Sequence, residues 1–227
     1  MTGPLRLVVF DVDGTLVDSQ ADILAAMAHA FDRVGHQVPA REDVLRIVGL
    51  SLDIAVARLA PQLDPAGHAR MVDGYKEAYV DLRAKAGAAQ SSPLYPGAIE
   101  AIEALHSVPD ILLGVATGKS RRGLDKLLEA HDLRRYFVTR QVSDHHPSKP
   151  HPSMLQAALS DTGVAPGDAV MVGDTSYDME MAAAAGMAGV GVTWGYHPRH
   201  DLHRAARLID DFSDLPASLD SLWETTR

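Results

Sequence analysis

No cysteine occurs in the 227 residues. That excludes disulfides, thiolate metal sites and a cysteine nucleophile, and it fits a reducing, cytoplasmic setting. Basic charge is also in short supply, with 21 Lys and Arg against 30 Asp and Glu and a formal net charge of −9. A nucleic-acid partner wants a basic surface, so none is expected. Long apolar runs are missing as well. The small-residue stretch MAAAAGMAGVGV (181–192) falls short of the roughly 20 residues of a membrane span and is broken by glycine, so no membrane partner is expected. The first residues lack the basic-then-apolar pattern of an export signal. There is no internal repeat, and the alanines at 182–185 are the nearest thing to low complexity.

What remains is an ordinary globular composition, 46% apolar and 22% charged, which argues against disorder. The length suits one full α/β domain with a smaller companion. Short apolar runs mark strands at LRLVVF (5–10), ILLGVA (111–116), AVMVG (169–173), AGVGVT (188–193) and RLIDDF (207–212). Helical patterns separate them, as in a parallel sheet covered on both faces. Leu124, Leu127 and Leu128 form one such stripe; Met154, Leu155, Ala158 and Leu159 form another, ending near Gly163. Between Asp18 and Pro93 only helical periodicity occurs. Ile23, Met27, Ala30, Phe31 and Val34 share one face, and Val72, Tyr75, Tyr79 and Leu82 another, on a helix opened by Asp64-Pro65. Ser51 is placed to cap a short helix through Ala60, and AGAAQSSPLYPG (86–97) reads as a linker. A helical module inserted after the first strand is therefore expected, with both connections near that strand's end, where a lid would sit.

That strand ends in DVDGTLVDS, which places Asp11 and Asp13 one residue apart before the turn at Gly14. Two carboxylates at the end of a buried strand repel each other and ask for a counter-charge. In parallel sheets ligands bind beyond the carboxyl ends of the strands, and other strand ends bring further chemistry there: Thr117-Gly118-Lys119 in VATGKS, and Asp174 and Asp178 in GDTSYD. Lys149 lies between them in the proline-stiffened SKPHP. Alone, each has a plain explanation, since strand-end Asp residues commonly cap helices and Thr-Gly is a turn. Four stretches in order that bring complementary chemistry to one edge are a different matter.

These four stretches resemble the motifs of the haloacid dehalogenase superfamily, and the helical insertion resembles its helical cap. WGYHP (194–198) and LIDDFSDL (208–215) look most like the phosphoglycolate phosphatase-like branch. The resemblance implies a doubly wound, Rossmann-like α/β core (1–18 and 93–227) with a helical cap domain (19–92). It implies a Mg2+-dependent hydrolase acting on a small-molecule phosphate monoester. Asp11 would be the nucleophile that forms an aspartyl-phosphate, and Asp13 the general acid and then base. Asp11, Asp174 and the Asp13 backbone carbonyl would hold the metal, with Asp178 supporting them from behind. Thr117, Gly118 and Lys149 would hold the phosphoryl group, and Gly49 and Leu50 of the cap loop RIVGLSL (46–52) would face the substrate. Monomer and homodimer are left open.

Two departures and one decoy matter. Asn usually follows the Ser/Thr of the second motif, and here Gly118 stands, so a side-chain contact is lost. Sugar-phosphate mutases of the superfamily tend to carry a basic residue after the cap-loop glycine, where this chain has Leu50, Ser51 and Leu52; a phosphomutase is thus the second reading. A phospho-accepting receiver-type module is a third, disfavoured by the insertion and by Asp13. Lys119, Arg121 and Arg122 are read as a solvated helix face in preference to a substrate clamp. His145, His146, His151, His197, His200 and His203 lack the HExxH spacing of a zinc site and are read as solvated loop residues.

Overall fold

Side-chain alternation along the first strand sets the layering. In β1 (Arg6–Phe10), Leu7 and Val9 pack on one face and Val8 and Phe10 on the other, all without solvent contact, as required of a central strand covered twice. The computed structural model describes residues 4–225. After β1 come α1 (Gln20–Arg33), α2 (Arg41–Arg46), α3 (Leu52–Leu59), α4 (Pro65–Ala86) and the short α5 (Ala88–Ser91). The chain then alternates through α6 (Ala98–His106), β2 (Ile111–Thr117), α7 (Arg121–Ala130), β3 (Phe137–Val142), α8 (Ser153–Thr162), β4 (Ala169–Gly173), α9 (Ser176–Ala184), β5 (Ala188–Val192), β6 (Arg207–Ile209) and α10 (Leu215–Thr225).

The six strands form one sheet in the order β3-β2-β1-β4-β5-β6, and every pairing is parallel. Helices α6, α7 and α10 cover one face through Ile102, Leu124 and Leu219. Helices α8 and α9 cover the other through Leu155 and Met181. The strand order reverses at β1, which has β2 on one side and β4 on the other, so the crevice lies beyond the carboxyl end of β1. Asp11 follows immediately.

Two differences from the sequence reading concern the sheet's margins. β3 is an additional edge strand: in FVTRQV two apolar residues give way to Thr, Arg and Gln, so the stretch shows no continuous apolar run. β6 stops at Ile209, three residues short of Phe212, because the Asp211 side chain accepts a hydrogen bond from the Ser213 amide (2.7 Å) and turns the chain.

The insertion has its own core. Met27, Phe31, Val44, Val56 and Met71 bring α1 to α4 together apart from the sheet. Asp64 accepts from the Gly67 amide at 2.7 Å and Pro65 takes the first turn of α4, a pairing that starts a helix without orphaned donors. The expected linker at 86–97 contains α5 and an isolated bridge from Leu94 to Val17. Asp18 N–H donates to Pro93 O at 2.9 Å and Tyr95 N–H to Leu16 O at 2.9 Å, so the outgoing and returning chains run side by side. No helix among the described residues is long and apolar enough to cross a membrane.

Leu124 is fully buried between α7 and the sheet. Leu124→Ala is expected to cost about 2–5 kcal/mol, read as a fall in the urea midpoint; an unchanged midpoint would contradict this packing.

Candidate active site

Two glycines determine how closely the strand ends can approach. At Gly14 φ is +82°, and a Cβ there would run into the Asp174 carboxylate; only glycine accepts both conditions. Gly195, from WGYHP, presses on Asp174 from another side and equally leaves no room for a Cβ. Asp174 is held between them, its Oδ1 accepting from Thr15 Oγ1 (2.8 Å) and its Oδ2 from the Tyr196 amide (2.8 Å). Asp178 is bound into the first turn of α9 by a capping box with Thr175, whose amide and hydroxyl donate to Oδ2 at 3.1 and 2.7 Å.

Each first-strand aspartate has its own lysine. Lys149 is buried, its Nζ 2.9 Å from Asp11 Oδ1 and 2.7 Å from Asp178 Oδ1. Lys119 Nζ lies 2.8 Å from Asp13 Oδ1 and donates to Tyr79 Oη of the insertion at 3.1 Å. Ser19 Oγ also donates to Asp13 Oδ1, and Tyr196 Oη accepts from the Ser19 amide at 2.9 Å. Burial alone would discharge both lysines; the facing carboxylates outweigh it and raise both ammonium groups above their ordinary value.

The carboxylates are not fully compensated. Burial raises Asp11 to about 7 against the pull of Lys149, and Asp178 pushes in the same direction as burial. Asp174 is raised well above the ordinary range, again first by burial and then by Asp178 and Asp11. Asp11, Asp174 and Asp178 each bring an oxygen within 4.8 Å of the others, and three buried carboxylates share the single ammonium of Lys149. The remaining formal charge of the cluster complements a divalent cation. Neither Asp11 oxygen has a hydrogen-bond partner; Lys149 is close enough to act by charge but is not aligned for a hydrogen bond. A hard cation that takes oxygen ligands therefore fits the donor set. Asp174 and Asp178 each have both oxygens engaged by neighbouring groups, so the unpartnered acceptor of the cluster is Asp11 Oδ2.

The insertion closes over this edge. Gly49 and Leu50 present their carbonyls to Gly118, where a Cβ would lie 2.7 and 2.6 Å from those oxygens. Ser51 N–H, opening α3, donates to Ser148 Oγ at 2.9 Å. Between insertion and sheet lies a cavity of about 570 Å³, lined by Asp11, Asp13, Thr117 and Gly118 below and by Leu50 and Tyr79 above. Thr117 is buried at the end of β2, with its Oγ1 accepting from the Lys119 amide at 3.3 Å. All nine residues singled out from the sequence (Asp11, Asp13, Gly49, Leu50, Thr117, Gly118, Lys149, Asp174 and Asp178) thus gather at this cavity or at the charge cluster beneath it.

Two expectations are corrected. Lys119 is not part of a solvated face; it is buried between Asp13 and Tyr79. Nor is His197 a solvated loop residue. It is 5% exposed, its Nδ1 accepts from the Ser176 amide (3.2 Å) and its Nε2 donates to Arg46 O (3.1 Å). Burial lowers its pKa and keeps it neutral, the form this pair of bonds requires. Tyr177 Oη donates to the same Arg46 carbonyl at 3.0 Å, so α2 ends on a two-point contact with the sheet domain. The sequence reading also missed Ser19, Tyr79 and Tyr196. Ser19 and Tyr196 lie within stretches already noted and Tyr79 forty residues before Lys119, so nothing local marks any of them.

A parallel sheet reversing at β1, paired carboxylates at that reversal and a helical lid define a capped α/β hydrolase. Residues 8–192 match the haloacid dehalogenase-like hydrolase family, and the chain belongs to it. A probable phosphatase, IndB, of Dickeya dadantii is 33% identical over 220 residues, 95% of this chain and 94% of that protein. A phosphoglycolate phosphatase of Vibrio parahaemolyticus is 32% identical over 85% of this chain and 86% of its own. Among solved structures, a Pseudomonas syringae hydrolase superimposes with a TM-score of 0.83 at 26% identity, covering 95% of this chain and 98% of its own. A Clostridium difficile β-phosphoglucomutase reaches the same TM-score at 18% identity, covering 97% and 98%; at that identity it reports the fold alone.

The Gly118 contact is with backbone oxygens, which cannot swing aside as a side chain would. Gly118→Ala is expected to disfavour the closed loop by about 1–3 kcal/mol, raising deuterium exchange in the 47–52 segment roughly 10- to 100-fold. Unchanged exchange would show that the loop yields without cost.

Proposed function

We propose that the protein is a Mg2+-dependent phosphatase that hydrolyses a small phosphate monoester of the phosphoglycolate type through an aspartyl-phosphate. The observation that carries this reading is Asp11: a buried carboxylate at the floor of a lidded cavity, with Lys149 against Oδ1 and no partner at all for Oδ2. An acceptor left in that state is costly unless it has a partner. A phosphoryl group and a cation are partners it fits. The relatives named phosphoglycolate phosphatase support the substrate type.

In the first step an Asp11 oxygen attacks phosphorus while the bond to the leaving oxygen breaks, and Asp13 gives that oxygen a proton. In the second, Asp13 takes a proton from water, the water oxygen attacks phosphorus, and Asp11 leaves as carboxylate. Ser19 and Lys119 both hold Asp13 Oδ1, leaving Oδ2 for the proton. Lys149, Thr117 and the backbone amides around Val12, Asp13 and Gly118 offset the negative charge of a loose phosphoryl-transfer transition state. Asp11, Asp174 and the Asp13 carbonyl would hold Mg2+, with Asp178 positioning Lys149 behind them; bound there, the ion supplies positive charge to the phosphoryl oxygens. Residues 1–18 and 93–227 form the catalytic core in this reading, and 19–92 the cap that excludes water.

Phosphate release from phosphoglycolate with Mg2+ is expected, and activity undiminished by EDTA and dialysis would sink the reading. Asp11→Asn should abolish turnover. Asp13→Asn should slow it roughly 10²–10⁴-fold. Wild-type turnover in Asp11→Asn would remove the covalent step.

A further inference from the structure

The cavity has a second polar end. Arg83, on the last turns of α4, is only 8% exposed and lines the cavity, yet its Nε and Nη2 are buried without a hydrogen-bond partner. Those two nitrogens form one edge of the guanidinium, and their N–H bonds run parallel, the fork that matches two oxygens of one anion. The nearby acid, Asp22, does not fill it: Asp22 Oδ2 accepts from Ser91 Oγ, and no ion pair joins Asp22 to Arg83 among the described residues. Tyr79 receives the guanidinium over its ring, 5.8 Å from the centroid, while its hydroxyl is bonded to Lys119. Arg83 is thus desolvated, with Asp22 acting on it by charge alone and its Nε/Nη2 edge free of hydrogen bonds, in the lining of a cavity whose floor is Asp11 and Asp13.

We infer that Arg83 is a specificity residue whose Nε/Nη2 edge receives a carboxylate carried by the leaving alcohol of the substrate. This rests on the phosphatase reading above and assigns the residue that recognises the far end of that substrate type. A carboxylate is preferred to a second phosphate on charge. One guanidinium balances one negative charge, Lys119 is already paired with Asp13, and the other cations of the lining, Lys76, Arg122 and Lys126, are exposed. The cap loop at Gly49-Leu50 supplies no cation, so discrimination by charge falls to α4. The buried polar edge also explains how a site of this size would reject neutral esters, since a substrate without the anion leaves two desolvated donors unmet.

The test compares phosphoglycolate with ethyl phosphate, which replaces the carboxylate by a methyl group. In the wild type, kcat/KM should favour phosphoglycolate, and in Arg83→Gln that ratio should fall roughly 10- to 100-fold. Arg83→Lys, which keeps the charge and loses the fork, should give an intermediate ratio, and it decides the matter should Arg83→Gln fail to fold. An unchanged ratio in the folded variants overturns the proposal while leaving the phosphatase reading intact, as does a wild-type preference for ethyl phosphate or for a sugar bisphosphate. Glycolate binding by calorimetry needs no turnover: binding to the wild type that is weakened at least tenfold in Arg83→Gln supports the assignment, and equal binding overturns it. Should the wild type release phosphate from neither ester, the phosphatase reading fails, and glycolate binding still reports on Arg83.

Discussion

The arrangement of the catalytic edge depends on one buried ammonium group shared among three carboxylates. Lys149 bridges Asp11 and Asp178 at 2.9 and 2.7 Å, and Asp174 completes the cluster with no lysine of its own. Taking such charges out of water is expensive, and pairing recovers the cost only when the geometry is good and the remaining lone pairs are satisfied. Here the geometry is enforced from every side: a capping box fixes Asp178, two glycines and two hydrogen bonds fix Asp174, and β1 carries Asp11 to the switch point of the sheet. What is left uncompensated is spread over Asp174, which has no lysine, and Asp11, whose Oδ2 has no partner and where the chemistry is proposed to begin.

Polar contacts join the lid to that edge, beside the packing of Tyr177 and Tyr196 on the cap core. Lys119 ties Asp13 to Tyr79, His197 and Tyr177 both end on the Arg46 carbonyl, and Ser148 receives the Ser51 amide. Contacts of this kind can be exchanged for water when the lid lifts, at a net cost near 1 kcal/mol each, whereas a continuous apolar seam would resist opening. The cap has its own core, centred on Phe31 and Met71.

Much of this was legible in the sequence because the signals were local. DVDGTLVDS and GDTSYD each carry their chemistry within a few residues, and the 3.6-residue stripes of α1, α4, α7 and α8 announce which face is buried. What escaped was either weakly patterned or distant. β3 is an edge strand in which Thr139, Arg140 and Gln141 interrupt the apolar run that marks the other strands. Lys119 looks like one charge among three on a helix start, and only the arrival of Tyr79 from forty residues earlier in the chain buries it. Arg83 and His197 are ordinary residues in ordinary stretches. What sets them apart is what the fold leaves beside them: no acceptor for Nε and Nη2 of the first, a helix-terminal carbonyl for the second. Gly118, a departure when read as a motif position, becomes intelligible once the carbonyls of Gly49 and Leu50 are seen against it.

The paired connections between Leu16–Asp18 and Pro93–Tyr95 have an evolutionary corollary. Because the chain leaves and re-enters the sheet domain one backbone hydrogen bond apart, the catalytic half meets its insertion as a loop closed at a single point. Loop closure costs only about 0.6 kcal/mol for each doubling of length. Inserts of very different size are then nearly equivalent to the domain that carries them. The junction behaves as a socket: the strand ends beneath it keep their geometry whatever the length of the module plugged in above them.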